Sequence, residues 1–333
     1  MNMTQPSCRL YSWVKKSFWL SFVLLILVGC GGKGPESEAE LAVQGFLSGD
    51  ISHDGRYAAV GSIHHGGSLW DVAKKERLFD WNHAAGEKSL IRATSISGDG
   101  ALAATSVEDT IVLWETATGK SAAFWKAPAR ILSVKLSWDG RYALLGMSNR
   151  SAMYFDMKAG SRVFTFDHQA EVRSVDLSDD GLWGITGADD LTAKVWNLKN
   201  GKQVQQFNHQ NQIKTVAISS KGKYGFTTSQ REDSIIWDLK SGEPVLKLPN
   251  RYTNFTVAGF SADEGKLLLG TFQGALSVIA LPSGTVESTW QASPRKAYGG
   301  ASSKAVIAAV FSSKKPGAVI ALMTDGMLQE FAK

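Results

Sequence analysis

Several histidines near the start of the chain are the first side chains whose type and spacing suggest chemistry, because imidazoles are common zinc ligands. The cluster comprises His53, His64, His65 and His83. His83 follows an aromatic and a polar residue, and the same pattern recurs at His168 and His209, so His83 belongs to a repeat. His53 falls in a different predicted turn from the adjacent histidine pair. The sequence therefore predicts no metal site, and no other signal in it predicts a cofactor.

Other catalytic signatures are weak. Gly119-Lys120-Ser121 resembles the end of a phosphate-binding loop, but Trp114 stands where that loop requires its first glycine, and no helix pattern follows. The sequence has no Gly-x-Ser-x-Gly elbow of a serine hydrolase. Asp189-Asp190 could form an acid pair, yet Asp190 is better explained as a buried acid that rigidifies a repeated turn. We therefore expect a protein that is not an enzyme.

The N-terminal segment contains an uncharged apolar run of 11 residues, 18–28, after the basic residues Arg9, Lys15 and Lys16. A membrane-spanning helix needs about 20 apolar residues, whereas the core of a secretory signal has this shorter length and follows a basic region. Leu27-Val28-Gly29-Cys30 ends the run and resembles a bacterial lipobox. The resemblance implies cleavage of residues 1–29 and lipidation of Cys30.

The residues after Cys30 indicate where such a lipoprotein would reside. Gly31 stands in place of the Asp that suggests inner-membrane retention, so the resemblance implies the outer membrane, facing the periplasm. Several acyl chains hold a protein stably to a bilayer, whereas one chain binds weakly. Residues 30–38 are rich in Gly, Pro, Ser and charge, which predicts a flexible tether before a folded domain at 39–333.

Charge and cysteine content limit the function classes of the mature chain. Three of the 36 Lys and Arg residues lie in the leader, which leaves 33 basic against 31 acidic residues, a net charge of +2. This balance gives no indication of nucleic acid binding. Of the two cysteines, Cys8 would be removed and Cys30 lipidated. The domain is therefore expected to lack a disulfide and to be stabilised by its core.

A repeat of about 41 residues organises the rest of the chain. Asp-Gly or a related pair recurs with spacings of 45, 40, 41 and 41 residues. These pairs begin at Asp54, Asp99, Asp139, Asp180 and Lys221. A large aromatic residue recurs at a similar spacing, at Trp70, Trp114, Phe155, Trp196 and Trp237. Runs of β-branched and aromatic residues between these markers predict short strands bounded by turns.

The clearest copy of the repeat is "HQAEVRSVDLSDDGLWGITGADDLTAKVWNLKNGKQVQQFNHQ", and it resembles the WD40 repeat. His168 matches the histidine of that family, and Asp180-Gly181 matches the turn between its first two strands. Thr186, Asp190 and Trp196 match the residues that form a structural hydrogen-bond network with that histidine. The resemblance therefore implies a structural role for His168 and these three residues.

Seven copies of the repeat are visible, and the last two lack the Trp-Asp pair and the histidine. The resemblance implies an all-β, seven-bladed WD40-type β-propeller. The final copy supplies only three strands before the chain ends, and an open blade would expose sheet edges. Residues 39–44 are predicted to add the missing outer strand and to close the ring.

In the WD40 family, the turns between the second and third strands of a blade share the narrow face of the propeller with the connections between blades. Partners often dock there. In this chain, these loops contain Arg and Tyr, the residue types that dominate binding hot spots. The candidate partner-binding residues are Arg150, Arg231, Arg251, Tyr252, Arg295 and Tyr298. The alternative is that these loops are simply solvated.

The sequence as a whole predicts a lipid-anchored, non-enzymatic scaffold that binds an envelope protein or peptide through one propeller face. Other envelope lipoproteins with propeller folds support this only by analogy of architecture. The alternative is a periplasmic hydrolase or lyase with a site at the mouth of the central channel. Converging carboxylates or histidines around the channel would favour the enzyme, and apolar or small residues would favour the scaffold.

Overall fold

A computed structural model describes residues 32–62, 64–83, 88–249, 253–296 and 303–333. All regular secondary structure in these ranges is β-strand. Within them, no helix is long and apolar enough to cross a membrane. The predicted signal peptide at 1–29 and the predicted lipidation site, Cys30, lie outside the described residues.

The described residues form 28 strands in seven four-stranded antiparallel sheets, which are the blades. The first strand, β1 (Ser37–Glu40), belongs to the last blade. Blade 1 contains β2 (Phe46–Ile51), β3 (Tyr57–Ser62), β4 (Gly66–Asp71) and β5 (Glu76–Trp81). Blade 2 contains β6 (Ala93–Ile96), β7 (Leu102–Val107), β8 (Thr110–Glu115) and β9 (Ser121–Lys126). Blade 3 contains β10 (Ile131–Leu136), β11 (Tyr142–Met147), β12 (Ser151–Asp156) and β13 (Ser161–Asp167).

The remaining blades follow in chain order. Blade 4 contains β14 (Val172–Leu177), β15 (Trp183–Ala188), β16 (Thr192–Asn197) and β17 (Lys202–Asn208). Blade 5 contains β18 (Ile213–Ile218), β19 (Tyr224–Ser229), β20 (Ser234–Asp238) and β21 (Pro244–Leu248). Blade 6 contains β22 (Phe255–Phe260), β23 (Lys266–Thr271), β24 (Ala275–Ala280) and β25 (Val286–Gln291). Blade 7 contains β26 (Val306–Phe311), β27 (Val319–Met323), β28 (Met327–Phe331) and β1.

The strands of each blade are named A to D from the inside outward. The A strands β2, β6, β10, β14, β18, β22 and β26 contact their neighbours in turn, and β26 contacts β2, so they form a closed ring. The described residues form seven apolar clusters, and each cluster combines side chains from two adjacent blades. Burial of apolar surface between blades therefore holds the ring together. The prediction of an all-β, seven-bladed propeller is confirmed.

The turn between the A and B strands has the same chemistry in most blades, and blade 4 shows it clearly. Ser178 Oγ donates to Asp180 Oδ1 (2.6 Å) and accepts the backbone N–H of Trp183 (3.0 Å). Asp180 Oδ1 also accepts the N–H of Leu182 (3.0 Å). Gly181 has φ +68°, a left-handed conformation that glycine adopts at low cost. The recurring Asp-Gly pair is thus required by the turn.

Blade 5 departs from this pattern because Lys221 replaces the turn acid. The carboxylate comes instead from Glu264 in the A–B turn of blade 6. Its Oε1 accepts the Ser219 hydroxyl (2.5 Å) and the Lys221 N–H (3.0 Å). Glu264 itself has φ +58°, at the turn position that glycine holds in blades 1 to 5. A non-glycine residue in that conformation is strained by about 1 kcal/mol.

The last blade is closed by the N-terminal strand, as the sequence predicted. β1 pairs antiparallel with β28, and Ser37 lies opposite Glu330. The strand covers residues 37–40, so it begins two residues before the predicted segment 39–44. The N–H of Leu41 continues the contact by donating to Gly326 O (2.9 Å). The difference arises because the polar residues 37 and 38 still pair through their backbone.

Ordered contacts begin within the segment that composition assigned to a tether. Lys33 forms a β-bridge with Trp290 at the outer edge of blade 6. Gly32 lies so close to that edge that an added Cβ would be 2.7 Å from the backbone carbon of Trp290. The N–H of Glu36 donates to β28 (2.8 Å). The described part of the N-terminal segment is therefore packed against blades 6 and 7.

Candidate functional site

Four residues of blade 4 and its preceding loop form one hydrogen-bonded chain. His168 Nδ1 lies 2.9 Å from Asp190 Oδ2, and Nε2 lies 2.8 Å from Thr186 Oγ1. Trp196 Nε1 donates to the same hydroxyl (2.9 Å). Because that hydroxyl accepts from the indole, we assign its proton to the bond with Nε2, and the imidazole proton to Nδ1. The structure thus brings together the four residues that the WD40 resemblance pointed to.

The pKa values of His168 and Asp190 indicate a structural role for this hydrogen-bonded network. Burial lowers the pKa of His168, although the adjacent Asp190 opposes the shift. Burial would raise the pKa of Asp190, but hydrogen bonds from Thr192, Gln169 and His168 outweigh it, and the pKa lies below its usual value. A neutral imidazole therefore donates to an ionised carboxylate inside the protein. This arrangement fixes the loop between blades 3 and 4 to the body of blade 4.

Blade 5 contains a related network with a longer acid. His209 Nε2 lies 2.9 Å from Thr227 Oγ1, which also accepts Trp237 Nε1–H (2.8 Å). His209 Nδ1 lies 3.1 Å from Glu232 Oε2. Glu232 thus takes the place that Asp190 has in blade 4. It lies five residues before its tryptophan, whereas Asp190 lies six residues before Trp196.

Blade 2 has the same network without the acid. His83 Nε2 lies 2.9 Å from Thr105 Oγ1, which accepts Trp114 Nε1–H (2.8 Å). His83 Nδ1 is buried and has no hydrogen-bond partner in the part of the chain that the structure describes. Burial lowers the pKa of His83 to about 4, against the opposing effect of Thr105. The three histidines thus form a series from complete to incomplete networks.

The face that carries the B–C turns and the connections between blades is called the narrow face here, after the WD40 resemblance. Four of its turns in the described residues hold a non-glycine residue at positive φ. These are Glu108 (49°), Arg150 (68°), Leu191 (69°) and Arg231 (58°). All four side chains are exposed. Left-handed non-glycine residues are uncommon, and backbone strain of this kind is often found at functional sites. Two of the predicted partner-binding residues, Arg150 and Arg231, are in this set.

The arginines of this face differ in their ion pairs. Arg92 pairs with a glutamate at 3.5 Å, and Arg173 pairs with two carboxylates at 2.6 Å each. Among the described residues, no carboxylate pairs with Arg130, Arg150 or Arg231. With no ion pair to the described part of the chain, these three exposed guanidinium groups can contact a partner protein.

Arg295, another predicted partner-binding residue, is used within the propeller. Its backbone N–H donates to Asp325 Oδ2 (2.9 Å), and its Nη1 donates to Glu40 Oε1 (3.2 Å) and to the carbonyl of Val43. Its side chain is only 17% exposed. Arg295 thus fastens the loop between blades 6 and 7 to the closing strand. The other predicted residues, Arg251, Tyr252 and Tyr298, lie outside the described residues.

Half of the ten exposed large hydrophobic side chains among the described residues lie on the same face. The large hydrophobic residues exposed there are Val43, Leu47, Leu90, Leu191 and Phe272. Phe272, in the B–C turn of blade 6, is 54% exposed. Four others lie on outer strands, where they are scattered around the rim: Phe124, Val163, Val204 and Val286. Apolar side chains and arginine are residue types that protein–protein interfaces use.

The opposite end of the channel, at the A–B turns, contains a cavity of about 430 Å³. Two rings of residues surround it. The inner belt is the second-last residue of each A strand, namely Asp50, Ser95, Lys135, Asp176, Ala217, Gly259 and Val310. The mouth belt lies three residues later, namely His53, Gly98, Trp138, Asp179, Ser220, Ala262 and Ser313. All seven mouth residues and five of the inner belt, all except Ser95 and Ala217, line the cavity.

Carboxylates of the inner belt connect neighbouring blades. Asp50 Oδ2 accepts the N–H of Ile96 in blade 2 (2.8 Å), and Asp176 Oδ2 accepts the N–H of Ile218 in blade 5 (2.9 Å). Lys135 Nζ lies 3.6 Å from Asp176 Oδ1. Burial raises the pKa of Asp50, and Asp176 raises the pKa of Lys135. These acids have a structural role that Ser95 performs in blade 2, because its Oγ accepts the N–H of Leu136 in blade 3 (3.1 Å).

The mouth belt adds an aromatic residue and a free acid. Trp138 is 40% exposed, meets His53 edge-on at 5.1 Å and covers Gly98. Asp179 has no hydrogen bond or ion pair with any described side chain. Burial raises its pKa, although His53 opposes the shift. The sequence analysis did not predict the two belts, although the sequence contains a signal for them. In each blade, the inner-belt residue is followed by Ile, Leu or Phe, then by Ser, and then by the mouth-belt residue, as in "DISH", "KLSW" and "DLSD".

The histidines considered for metal binding are separated by the fold. His53 lies in an A–B turn, whereas His64 and His65 lie in the B–C turn of blade 1 at the other face. Within the described ranges, no group of three His, Cys, Asp or Glu side chains could hold a metal ion. His83 belongs to the network of blade 2.

Comparison with known proteins agrees with the architecture. Residues 160–197 match the family model described as WD domain, G-beta repeat. This range runs from the end of blade 3 to the end of strand C in blade 4, and it includes His168, Thr186, Asp190 and Trp196. No curated protein matches the chain. The chain is a seven-bladed β-propeller that carries a WD40 repeat. Propellers of this type typically serve as protein-interaction scaffolds and are usually not catalytic.

Proposed function

We propose that this protein is a lipid-anchored scaffold of the bacterial envelope that binds a protein partner through its narrow face. The observation that carries the proposal is the combination, on that face, of exposed apolar side chains with the guanidinium groups of Arg150 and Arg231, which pair with no carboxylate among the described residues. Both arginines are held at the tips of B–C turns in a strained conformation.

The chemistry of the face indicates the chemistry of the partner. Free arginines favour carboxylates, with which a guanidinium forms two parallel hydrogen bonds. Exposed Leu191 and Phe272 favour apolar side chains. The partner is therefore an envelope protein or peptide that presents acidic and apolar residues together.

Site-specific photo-crosslinking in the native host tests the face. A photoreactive phenylalanine analogue replaces Phe272 on the narrow face or, as a matched control, Phe124 on the rim, which is 75% exposed. We expect one discrete adduct from position 272 and none from position 124. Adducts of equal yield from both positions would contradict a specific docking face.

Glycine substitutions test the arginines without harming the fold, because glycine accepts positive φ. We expect the pair Arg150→Gly and Arg231→Gly to lower the adduct yield by about tenfold, an effect typical of hot-spot residues. Glu108→Gly is the matched control, because Glu108 has the same turn position and conformation in blade 2. An unchanged yield in the arginine variant would overturn the proposed role of these residues.

The anchor is tested separately. Cys30→Ser should abolish incorporation of labelled palmitate. Cys8→Ser is the matched control, because the predicted cleavage removes Cys8. Palmitate incorporation that survives in the Cys30 variant would exclude this residue as the lipidation site. The location in the outer membrane is then tested by separating the two membranes on a density gradient.

The alternative, a hydrolase or lyase at the channel mouth, has some support from the carboxylates Asp50, Asp176 and Asp179 around the cavity. Two of them, however, accept backbone N–H groups of neighbouring blades, so they act first as structural acceptors. A general base must reach the proton that it removes, and these two acids are already occupied. The geometry therefore favours binding at this end of the channel over catalysis.

A further inference from the structure

The cavity at the A–B turns has two unlike halves. Blades 1, 3 and 4 contribute large or charged side chains to it, namely Asp50, His53, Lys135, Trp138, Asp176 and Asp179. Blades 5 to 7 contribute only small or apolar residues from the same two belts, namely Ser220, Gly259, Ala262, Val310 and Ser313. Phe260 and Phe311, next to the inner belt, extend this apolar wall. The repeat does not require this asymmetry, because each belt occupies equivalent positions of the seven blades.

The charged half is acidic. Three carboxylates line it against the Lys135 ammonium group, which lies 3.6 Å from Asp176, and the His53 imidazole, which interacts electrostatically with Asp179. Asp50 is held by two backbone N–H groups, from Ile51 (2.9 Å) and Ile96 (2.8 Å). Negative charge in a cleft with apolar walls concentrates the field and attracts cations.

Asp179 and Trp138 stand at the opening of the cavity and supply what a cation needs. The Asp179 carboxylate has no hydrogen-bonded partner among the described residues. The Trp138 indole is fixed over Gly98, since an added Cβ there would lie 2.3 Å from the ring. Its exposed surface offers a cation–π contact within reach of the same cavity.

We propose that the cavity binds a small organic cation with an apolar body. Its ammonium group would lie against Asp179 and the Trp138 ring, and its apolar part against Gly259 and Val310. The volume of about 430 Å³ falls within the range of about 300–1,000 Å³ of small-molecule sites. This site is at the opposite end of the channel from the proposed docking face and does not depend on that proposal.

Isothermal titration calorimetry of the mature protein in detergent tests the proposal, with phenethylamine as the probe. Two isosteres of this probe separate charge from shape: neutral 2-phenylethanol and anionic 3-phenylpropanoate. We expect saturable binding of phenethylamine, binding of the alcohol weaker by about tenfold, and no binding of the carboxylate. Equal affinity for the amine and the alcohol, or no binding of the amine, would overturn the proposal.

Two variants locate the site. Asp179→Asn removes the free charge from an exposed turn position and should weaken phenethylamine binding by about tenfold. Gly259→Leu should abolish binding, because the nearest atom to an added Cβ is a carbonyl oxygen at 4.0 Å and the larger side chain can extend into the cavity. Asp167→Asn, at the other face, is the matched control and should bind as the wild type does.

Circular dichroism melting of each variant shows whether it folds. Loss of binding in a folded Gly259→Leu protein supports the site. Phenethylamine binding that persists in both folded variants would place the ligand outside the cavity and overturn the proposal. If Gly259→Leu does not fold, Asp179→Asn together with the two isosteres still decides the question.

Discussion

Blades 4 and 7 are held together in different ways. In blade 4, the hydrogen-bonded chain through His168 and Trp196 lies within the blade and the loop that precedes it. In the described part of blade 7, no such chain exists, and apolar side chains such as Phe331 and Val306 fill the interior. Its outer strand comes from the opposite end of the sequence. One blade is complete in a single repeat, and the other depends on residues supplied from elsewhere.

Dependence on other segments is not confined to blade 7. Blade 5 receives its turn acid, Glu264, from blade 6. Trp290 of blade 6 donates from Nε1 to the carbonyl of Ala332, at the end of blade 7 (2.8 Å). Departures from the repeat are therefore compensated across blade boundaries, where the apolar clusters also lie. Substitutions in the two kinds of blade should then differ in how much unfolding free energy they cost and in whether their costs add.

Removal of the closing strand should have the largest effect. A soluble form that begins at Leu41 lacks β1, whereas one that begins at Gly32 retains it. We expect the shorter form to lose more than about 3 kcal/mol of unfolding free energy, because the β28 edge loses a four-residue ladder. Chemical denaturation measures the difference, and light scattering should show aggregation of the shorter form.

Glu38→Thr in the longer form is the control for this experiment, because it changes a side chain and keeps the backbone ladder. It should unfold within about 0.5 kcal/mol of the parent. If the form that begins at Leu41 were as stable as the parent, blade 7 would need no borrowed strand, and the contrast with blade 4 would fail.

Disruption of the complete network should rank second. His168→Leu removes one hydrogen-bond partner from each of the buried Thr186 hydroxyl and Asp190 carboxylate, so we expect a loss of about 2–4 kcal/mol. His83→Leu in blade 2 should cost less, about 1–2 kcal/mol, because no acid is bonded to that imidazole among the described residues. Thermal and denaturant unfolding of both variants measures the difference. Equal losses would show that Asp190 adds nothing to the network.

The sequence predicted the features that each repeat contains in itself. The Asp-Gly pairs are needed for left-handed turns, and the residues around His168 match a local pattern, so both were visible without a structure. The role of Arg295 was not predictable, because its partner Glu40 is 255 residues away in the chain. The two channel belts recur in the sequence at a constant offset, but only the strand register shows which residues face the cavity.

Acid should destabilise the incomplete network of blade 2. The folded protein holds the pKa of His83 at about 4, below the value of about 6.5 expected in the unfolded chain. The unfolded state therefore binds a proton first, and stability falls as the pH drops from 6.5 towards 4. Because His83 is only half-buried, we expect this group to contribute about 1–2 kcal/mol to that fall.

The pH dependence of unfolding in the wild type and in His83→Leu isolates this contribution. The variant should lose less stability than the wild type over the same pH interval. Parallel curves for the two proteins would show that His83 does not titrate differently on folding. The pH dependence of unfolding in His168→Leu, measured in the same way, compares the complete network of blade 4 with the incomplete network of blade 2. We expect a smaller difference from the wild type there, because Asp190 opposes the lowering of the His168 pKa.

The smallest expected effect tests whether Glu264 truly substitutes for the missing acid of blade 5. Glu264→Gly relieves a strained backbone but removes the acceptor for Ser219, so the net loss should be at most about 1 kcal/mol. Lys221→Asp alone brings a second carboxylate to the turn and should also destabilise it. Together, the two substitutions give both blade 5 and blade 6 the Asp-Gly turn of blades 1 to 4. The double variant should regain about 1 kcal/mol of unfolding free energy relative to Glu264→Gly.

A double-mutant cycle of thermal unfolding measures this coupling. Lys199→Asp, in the C–D turn of blade 4, provides the control, because it makes the same charge change away from Glu264 and should combine additively with Glu264→Gly. Additive effects for the pair of Lys221 and Glu264 would mean that the bonds to Ser219 and Lys221 carry no net energy. Blade 5 would then be self-contained like blade 4, and the compensation across blade boundaries would be limited to the closing strand and the bond from Trp290 to Ala332.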